Sequence, residues 1–325
     1  MRKIIFVLSR VLGNQLLRPR VPQSFGGKRI ATLLGAFAFV ATLAAPVGIV
    51  SAQAAPSHLN PAIEKLAQGQ PMIGIQTDDM SLQNCHALAR VDFDYAYVDM
   101  EHGPLNLDGL AYCIAAMVDK AAAIKKGNPQ PKVALFARFP AYGRDLESND
   151  WIVKQALDMG LMGIIFNGVD NKEEMTRLVR YMRYPQQKTS AYQQPPGLRG
   201  YSPASAAFAW GISLAEYERH ADLYPLNPGG DLLAIPMIET ADGLKNVNEI
   251  ASVPGVGAIF IGAAGDLHQY LGVPQDSPEV EQARQTILAA CKAHNVPCGI
   301  TAIGKDEVDK RLKEGWKMIR TGRGE

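Results

Sequence analysis

Ile235–Thr240 (IPMIET) and Ala258–Leu267 (AIFIGAAGDL) are two apolar, strand-like runs that each lead into a carboxylate, Glu239 in the first and Asp266 in the second. The segment between them, with its LKNVNEIASV pattern, reads as a helix, and the separation fits one strand–helix–strand step joining parallel strands. Two acids at the same end of neighbouring parallel strands suit a divalent cation. Taken alone, they read equally well as solvated acids at strand ends.

Outward from that pair, apolar runs alternate with helical patterns along most of the chain. Strands are expected at Met72–Gln76, Tyr95–Met100, Val133–Phe139, Gly163–Val169, Leu232–Glu239, Ala258–Gly262, Pro297–Ala302 and Trp316–Thr321. Their apolar runs are nearly continuous, as in parallel strands buried on both faces. Helices are expected at 81–90, 107–126, 150–159, 172–183, 243–252, 279–294 and 305–314, with apolar spacings of three and four, as in Leu107, Leu110, Ile114 and Met117. Eight such units predict an α/β fold, a (β/α)8 TIM barrel forming a single domain over 55–325. The sequence stops soon after the eighth strand, so no eighth helix is expected in-chain. A neighbouring subunit or the segment before Pro71 is expected to cover that flank.

Residues 184–231 form a long insertion between units four and five, rich in Pro, Gly and aromatics. Tyr192, Tyr201, Phe208, Trp210 and Tyr217 argue for order. Its expected place is over the barrel mouth or against a neighbouring subunit, with a surface decoration as the alternative.

Residues 1–54 read as a secretory signal. Lys28 and Arg29 precede the apolar run Ile30–Val50, and Ala52-Gln53-Ala54 forms an A-x-A cleavage pattern. The run approaches the length of a membrane span, so a membrane is a partner only if this segment stays uncleaved. Cleavage leaves about 270 residues, enough for one large α/β domain or two small ones, exported and periplasmic if the source is a Gram-negative bacterium. A net charge of +1 shows no basic excess for nucleic acid, which makes a small molecule the expected partner. Four cysteines are too few and too scattered for a disulfide scaffold or a zinc ribbon. Pairing of Cys85 with Cys113 and Cys291 with Cys298 stays open beside buried free thiols, and none reads as a nucleophile.

Chemistry in such a barrel sits at the C-terminal strand ends. The second strand ends in Asp99-Met100-Glu101-His102, the third in Arg138, the fifth in Glu239, and the sixth runs towards Asp266. His102, oriented by Asp99, is a candidate acid/base. Arg138 is a candidate clamp for a carboxylate or a developing enolate.

In order, the motifs VDMEHG, FARFP, ALDMGLMGIIF, RLVRYMRYPQ, PPGLRGYSPA, PMIET, EIASVPGVGAIFIG and GDLHQYLG resemble the HpcH/HpaI aldolase family over about Pro71 to Arg320. The resemblance implies a class II pyruvate aldolase that cleaves a 4-hydroxy-2-oxo acid to pyruvate and an aldehyde. It implies Glu239 and Asp266 as ligands of Mg2+, Mn2+ or Co2+, Asp99 and His102 as an acid/base dyad, and Arg138 as the enolate-stabilising residue. Backbone amides near Ala264 and Gly265 would hold the carboxylate of the 2-oxo acid, and a homo-oligomer is expected. The chain departs from the family at three places: Met237 replaces a common Gln, FIGAAGDL is one residue longer before its aspartate, and Asn167-Gly168 replaces a Pro-containing strand end.

Other readings make different demands. A class I aldolase needs a strand-end lysine, for which Lys305 is the near candidate. An acyl-CoA lyase of the citrate lyase type would share the metal carboxylates, but the sequence has no obvious basic nucleotide patch. A non-catalytic exported barrel that binds a keto acid would have no need of Asp99, His102, Arg138, Glu239 and Asp266 together.

Overall fold

The computed structural model describes residues 58–262 and 265–323. The expected signal over 1–54 lies outside them. All eight expected strands form: β1 (Met72–Thr77), β2 (Tyr95–Asp99), β3 (Ala134–Arg138), β4 (Gly163–Phe166), β5 (Leu233–Pro236), β6 (Ile259–Ile261), β7 (Cys298–Thr301) and β8 (Met318–Arg323). They pair in parallel in the order β5-β4-β3-β2-β1-β8-β7-β6. Closure falls between β5 and β6, where the Ile238 N–H donates to Phe260 O at 3.0 Å and Gly257 N–H to Ala234 O at 2.9 Å. The result is the predicted TIM barrel, nearly closed by its ladders.

The barrel interior is filled by aromatic rings set against glycines. A Cβ on Gly74 would stand 2.5 Å from the Tyr95 ring, one on Gly163 2.6 Å from Phe136, and one on Gly299 2.7 Å from Phe260. Tyr95 and Phe136 stack with ring centroids 5.3 Å apart. Small residues on β1, β4 and β7 therefore make the room that large ones on β2, β3 and β6 occupy, a packed core rather than a pore.

The helices follow their capping residues. α1 (Pro61–Ala67) precedes the barrel, and α2 (Leu82–Leu88) and α3 (Leu107–Ala116) follow the first two strands. The single helix expected over 107–126 is two. α3 stops at Met117, and Asp119 caps a separate α4 (Lys120–Lys126) by accepting from the Ala122 N–H. α5 (Leu146–Met159) and α6 (Lys172–Met182) follow β3 and β4 and pack against each other, and α7 (Ala204–Trp210) and α8 (Leu214–His220) belong to the insertion. The helix expected over 243–252 is also divided, into α9 (Ala241–Lys245) and α10 (Val247–Ala251). α11 (Gly265–Leu271), α12 (Pro278–His294) and α13 (Lys305–Glu314) complete the set, and no helix follows β8 among the described residues. None of the described helices is long and apolar enough to cross a membrane.

The insertion does not cover the mouth. Trp210 Nε1 donates to Gly160 O at 2.7 Å, Tyr217 OH to Leu157 O at 3.2 Å, and Arg199 Nη2 to Asp158 Oδ1 at 2.8 Å. These partners lie at the end of α5, just ahead of β4, so the insertion grips the amino-terminal end of the barrel. Topology explains this, because a segment between a helix and the next strand emerges opposite the catalytic loops. α1 sits at that end too: Asn60 Nδ2 donates to Met162 O (3.3 Å) and Asp231 O (3.2 Å), and Lys65 pairs with Asp94 at 2.8 Å. Residues 58–70 thus sit at the floor of the barrel, where Gly69 O also accepts from Lys317 Nζ, just ahead of β8, at 2.7 Å.

Both candidate cysteine pairs are disulfides, Cys85–Cys113 tying α2 to α3 and Cys291–Cys298 tying α12 to β7. Buried free thiols are ruled out for all four.

The glycine–aromatic complementarity is testable. Gly163→Ala should cost about 1–3 kcal/mol by overpacking against Phe136, read as a lowered urea midpoint, and Phe136→Leu in the same chain should restore part of it.

Candidate active site

The mouth is built by alternation along β2. Tyr97, Asp99 and Glu101 fall on the same side of the chain at period two, facing the barrel axis, whereas His102 leaves that alternation. Asp99 pairs in register with Arg138 of β3. Arg138 Nε donates to Asp99 Oδ1 at 3.0 Å and Nη2 donates to Asp99 Oδ2, a two-point clamp between buried groups. Burial opposes ionisation of Asp99, but the hydrogen bonds and charge of Arg138, with smaller help from His102 and the Glu101 N–H, hold its carboxyl below the usual range. For Arg138, burial works against the charge, and Asp99, Tyr97 and Glu101 outweigh it, so the guanidinium is always charged.

The pair sits in a longer chain of contacts. Gln76 Nε2 donates to Asp99 Oδ2 at 2.7 Å, while Gln76 Oε1 accepts from Tyr97 OH and from Arg320 Nη2, both at 2.9 Å. On the other side Arg138 Nη1 lies 2.7 Å from Glu101 Oε2, and Asn167 Nδ2 donates to Glu101 Oε1 at 2.6 Å. The N–H of Gly168 donates to Glu239 Oε2 at 3.1 Å. Gly168 holds φ +59°, and a Cβ there would come 2.6 Å from the Tyr142 ring. The Asn167-Gly168 departure from the family therefore supplies two polar contacts, one of them from a backbone N–H that proline lacks. Met237 places its sulfur 3.8 Å from Arg138 Nη1, covering the guanidinium with a soft, apolar group.

Glu239 is buried, and its carboxyl is pushed up to about 7. Burial is the largest cause, and the negative charges of Glu101 and Asp266 add to it against the opposing pull of Arg138 and the Gly168 hydrogen bond. Asp266 is exposed as the second residue of α11, and Gly265 is the first. Ala264, expected with Gly265 to hold a carboxylate, lies outside the described residues. The phenol of Tyr142 faces the same acids. Burial, then Glu101, Asp266 and Glu239, push its pKa up.

His102 is 60 % exposed on its side chain, and its nearest carboxylate is Glu101, with Nε2 3.7 Å from Oε2. Asp99 accepts from Arg138, Gln76 and the Glu101 N–H, and acts on His102 through its charge while the imidazole lies beside Glu101. Glu101, Gln76 and Tyr142 join the site without being candidates in the sequence, and Asn167, marked there only as a departure from the family, joins it as well. Lys305, the first residue of α13, pairs with Asp309 one turn along the same helix.

Asp99, Glu101, Glu239 and Asp266 thus gather four carboxylates about one buried guanidinium, already committed to Asp99 and Glu101. Among the described residues no three His, Cys, Asp or Glu side chains enclose an ion by themselves. The oxygen-only donor set and the unrelieved repulsion at Glu239 fit a hard divalent cation held by two carboxylates, with water or substrate completing its shell.

A (β/α)8 barrel with an acidic, arginine-centred mouth at its C-terminal strand ends defines an enzyme-class architecture. The chain belongs to the HpcH/HpaI aldolase/citrate lyase family, which it matches over residues 80–324. It is 28 % identical to a hydroxypyruvate/pyruvate aldolase of Paraburkholderia phytofirmans over 80 % of this chain and 90 % of the relative. It is 26 % identical to a 2-keto-3-deoxy-L-rhamnonate aldolase of Escherichia coli K12, covering 81 % and 86 % of the two chains. A solved structure of an HpcH/HpaI aldolase/citrate lyase family protein from Burkholderia cenocepacia superposes with a TM-score of 0.65 at 27 % identity, covering 81 % of this chain and 93 % of that one. These relationships make the protein an aldolase-type lyase.

The raised pKa of Glu239 has a signed consequence for stability. Between its ordinary pKa of 4.5 and about 7 the folded state binds more protons than the unfolded one, so stability falls as pH rises through that window. With metal chelated away, Glu239→Gln should be more stable than the wild type at pH 8 by on the order of 1–3 kcal/mol, the advantage shrinking towards pH 4.5. Urea unfolding at the two pH values measures this.

Proposed function

We propose that the protein is a divalent-metal-dependent aldolase that cleaves a 4-hydroxy-2-oxo acid to pyruvate and an aldehyde. The observation that carries the reading is buried Glu239, held near neutrality beside Glu101 and Asp266 with Arg138 as the one buried counter-charge among them. Glu239 and Asp266 would hold Mg2+, Mn2+ or Co2+, which when bound acts as a Lewis acid at the 2-oxo group.

The remaining steps belong to side chains. Arg138, fixed by its clamp to Asp99, offers a preorganised positive charge where the enolate of pyruvate develops, at no cost of reorientation during the reaction. His102, exposed at the rim and next to Glu101, takes the proton of the C4 hydroxyl, directly or through a water. The C3–C4 bond then breaks, the aldehyde leaves, and the same imidazolium is suited to return its proton to C3. Met237 over Arg138 keeps the guanidinium from water and thereby strengthens its field. Asp99 acts through Arg138 as a positioning residue.

Export and assembly belong to the same proposal. Two disulfides support an oxidising compartment, where such bonds persist. A homo-oligomer would cover the flank of β8, and native light scattering on the protein reports its mass.

Metal-free protein given Mn2+ or Mg2+ at 100 times its dissociation constant should gain about 2.7 kcal/mol of stability, seen as a higher Tm. Glu239→Ala and Asp266→Ala should lose that gain. With a panel of 4-hydroxy-2-oxo acids, metal-loaded wild type should release pyruvate, and His102→Ala should slow release roughly 10²- to 10⁴-fold. Full metal-dependent cleavage by Glu239→Ala would overturn the assignment.

A further inference from the structure

At the amino-terminal end of the barrel, a hollow of about 550 Å3 lies between α4, the α3–α4 corner and α7 of the insertion. Its walls are mostly apolar and include Ile114, Met117, Leu135, Met162 and Trp210. That size, with an apolar lining and few polar groups, is characteristic of sites for small molecules. Three cations border it, Arg90, Lys126 and Lys132, against the single carboxylate of Asp119. Arg90 Nε pairs with Asp119 at 3.1 Å. Lys126 donates to Gln130 O and Lys132 to Arg90 O at 3.1 Å, and Lys132 also lies 3.4 Å from the well-exposed Asp92. The border is therefore positive by about two ammonium groups, each steadied by a backbone carbonyl.

α4 is an independent observation. None of its seven residues is buried, although Ala121, Ala122, Ala123 and Ile124 are apolar. A helix of two turns is marginal in water unless one face packs against something. After leaving α3 at Met117 the chain recaps at Asp119 and carries α4 beside the hollow with Ala122, Ala123 and Lys126 lining it, so an occupant would give that face of the helix the contacts it lacks.

We propose that the hollow binds a small amphipathic carboxylate, a medium-chain fatty acid. The alkyl chain packs on Met117, Leu135 and Trp210, the carboxylate meets Lys126 and Lys132, and the bound acid fastens α4 to the barrel. This site lies at the end opposite the acidic mouth and does not rest on the proposed reaction.

Calorimetric titration of the full chain with decanoate below its micellar concentration should show saturable binding, about tenfold tighter than octanoate because two methylenes are added. Octanoate should bind about tenfold tighter than octan-1-ol through its charge-assisted contacts. Lys126→Glu should weaken decanoate about tenfold, and Ala123→Trp, which fills the hollow, should abolish binding. Tm values without ligand check that both variants fold. Hydrogen exchange of the 119–127 amides should slow when decanoate is added. Absence of saturable binding to folded wild type would overturn the proposal, as would equal affinity for octanoate and octan-1-ol. Slowing of exchange at 119–127 that grows with protein concentration and not with decanoate would overturn it in favour of a second copy on this face.

Discussion

The clamp between Arg138 and Asp99 is the constraint on which the mouth depends. It joins β2 to β3 at paired register positions, inside a barrel where an unpaired charge would be very costly. Breaking a buried pair by removing one partner typically costs about 3–5 kcal/mol, because the other charge is left without compensation. Here the pair is also the middle of a relay of contacts from Arg320 through Gln76 to Asp99, then through Arg138 and Glu101 to Asn167. Five strand ends are thereby held in one electrostatic arrangement. The guanidinium can face a substrate only because its own orientation is already fixed from behind.

That arrangement leaves a surplus of negative charge, and the surplus is functional information. An acidic mouth with its carboxylates all neutralised by arginines would be a structural network. At Glu239 the balance fails: burial and neighbouring acids outweigh the help from Arg138 and Gly168. The aldolase-type relatives and this local imbalance point in the same direction from separate grounds, one from descent and the other from charge.

Much of the fold could be read directly from the chain because parallel strands covered on both faces are apolar without interruption. Val133 to Phe139 and Gly163 to Val169 stand out for this reason, and Asp99, Arg138 and Glu239 stand out as the first charges after such runs. Glu101 is equally accessible, since it continues the two-residue alternation of Tyr97 and Asp99, but it stands beside the more conspicuous His102. Gln76 carries no such mark, and Asn167 is marked only as a departure from the family, because a neutral amide becomes part of a site only through partners that sequence separation conceals. The break at Asp119 was hidden by the helix-forming residues on both sides of it, where one local cap outweighs the pattern. The end of the barrel reached by the insertion followed from its place between a helix and a strand, a matter of topology and not of its aromatic content.

The division of labour between the two rims has an evolutionary side. Every group argued to take part in chemistry is borne by residues at strand ends or immediately beyond them, while the insertion, α1 and α4 elaborate the opposite pole. Lengthening, exchanging or repurposing those elaborations perturbs none of the reacting geometry directly. A lineage is thus free to acquire new attachments, ligands or partners at one pole while selection on turnover acts at the other, and the barrel wall between them insulates each kind of change from the other.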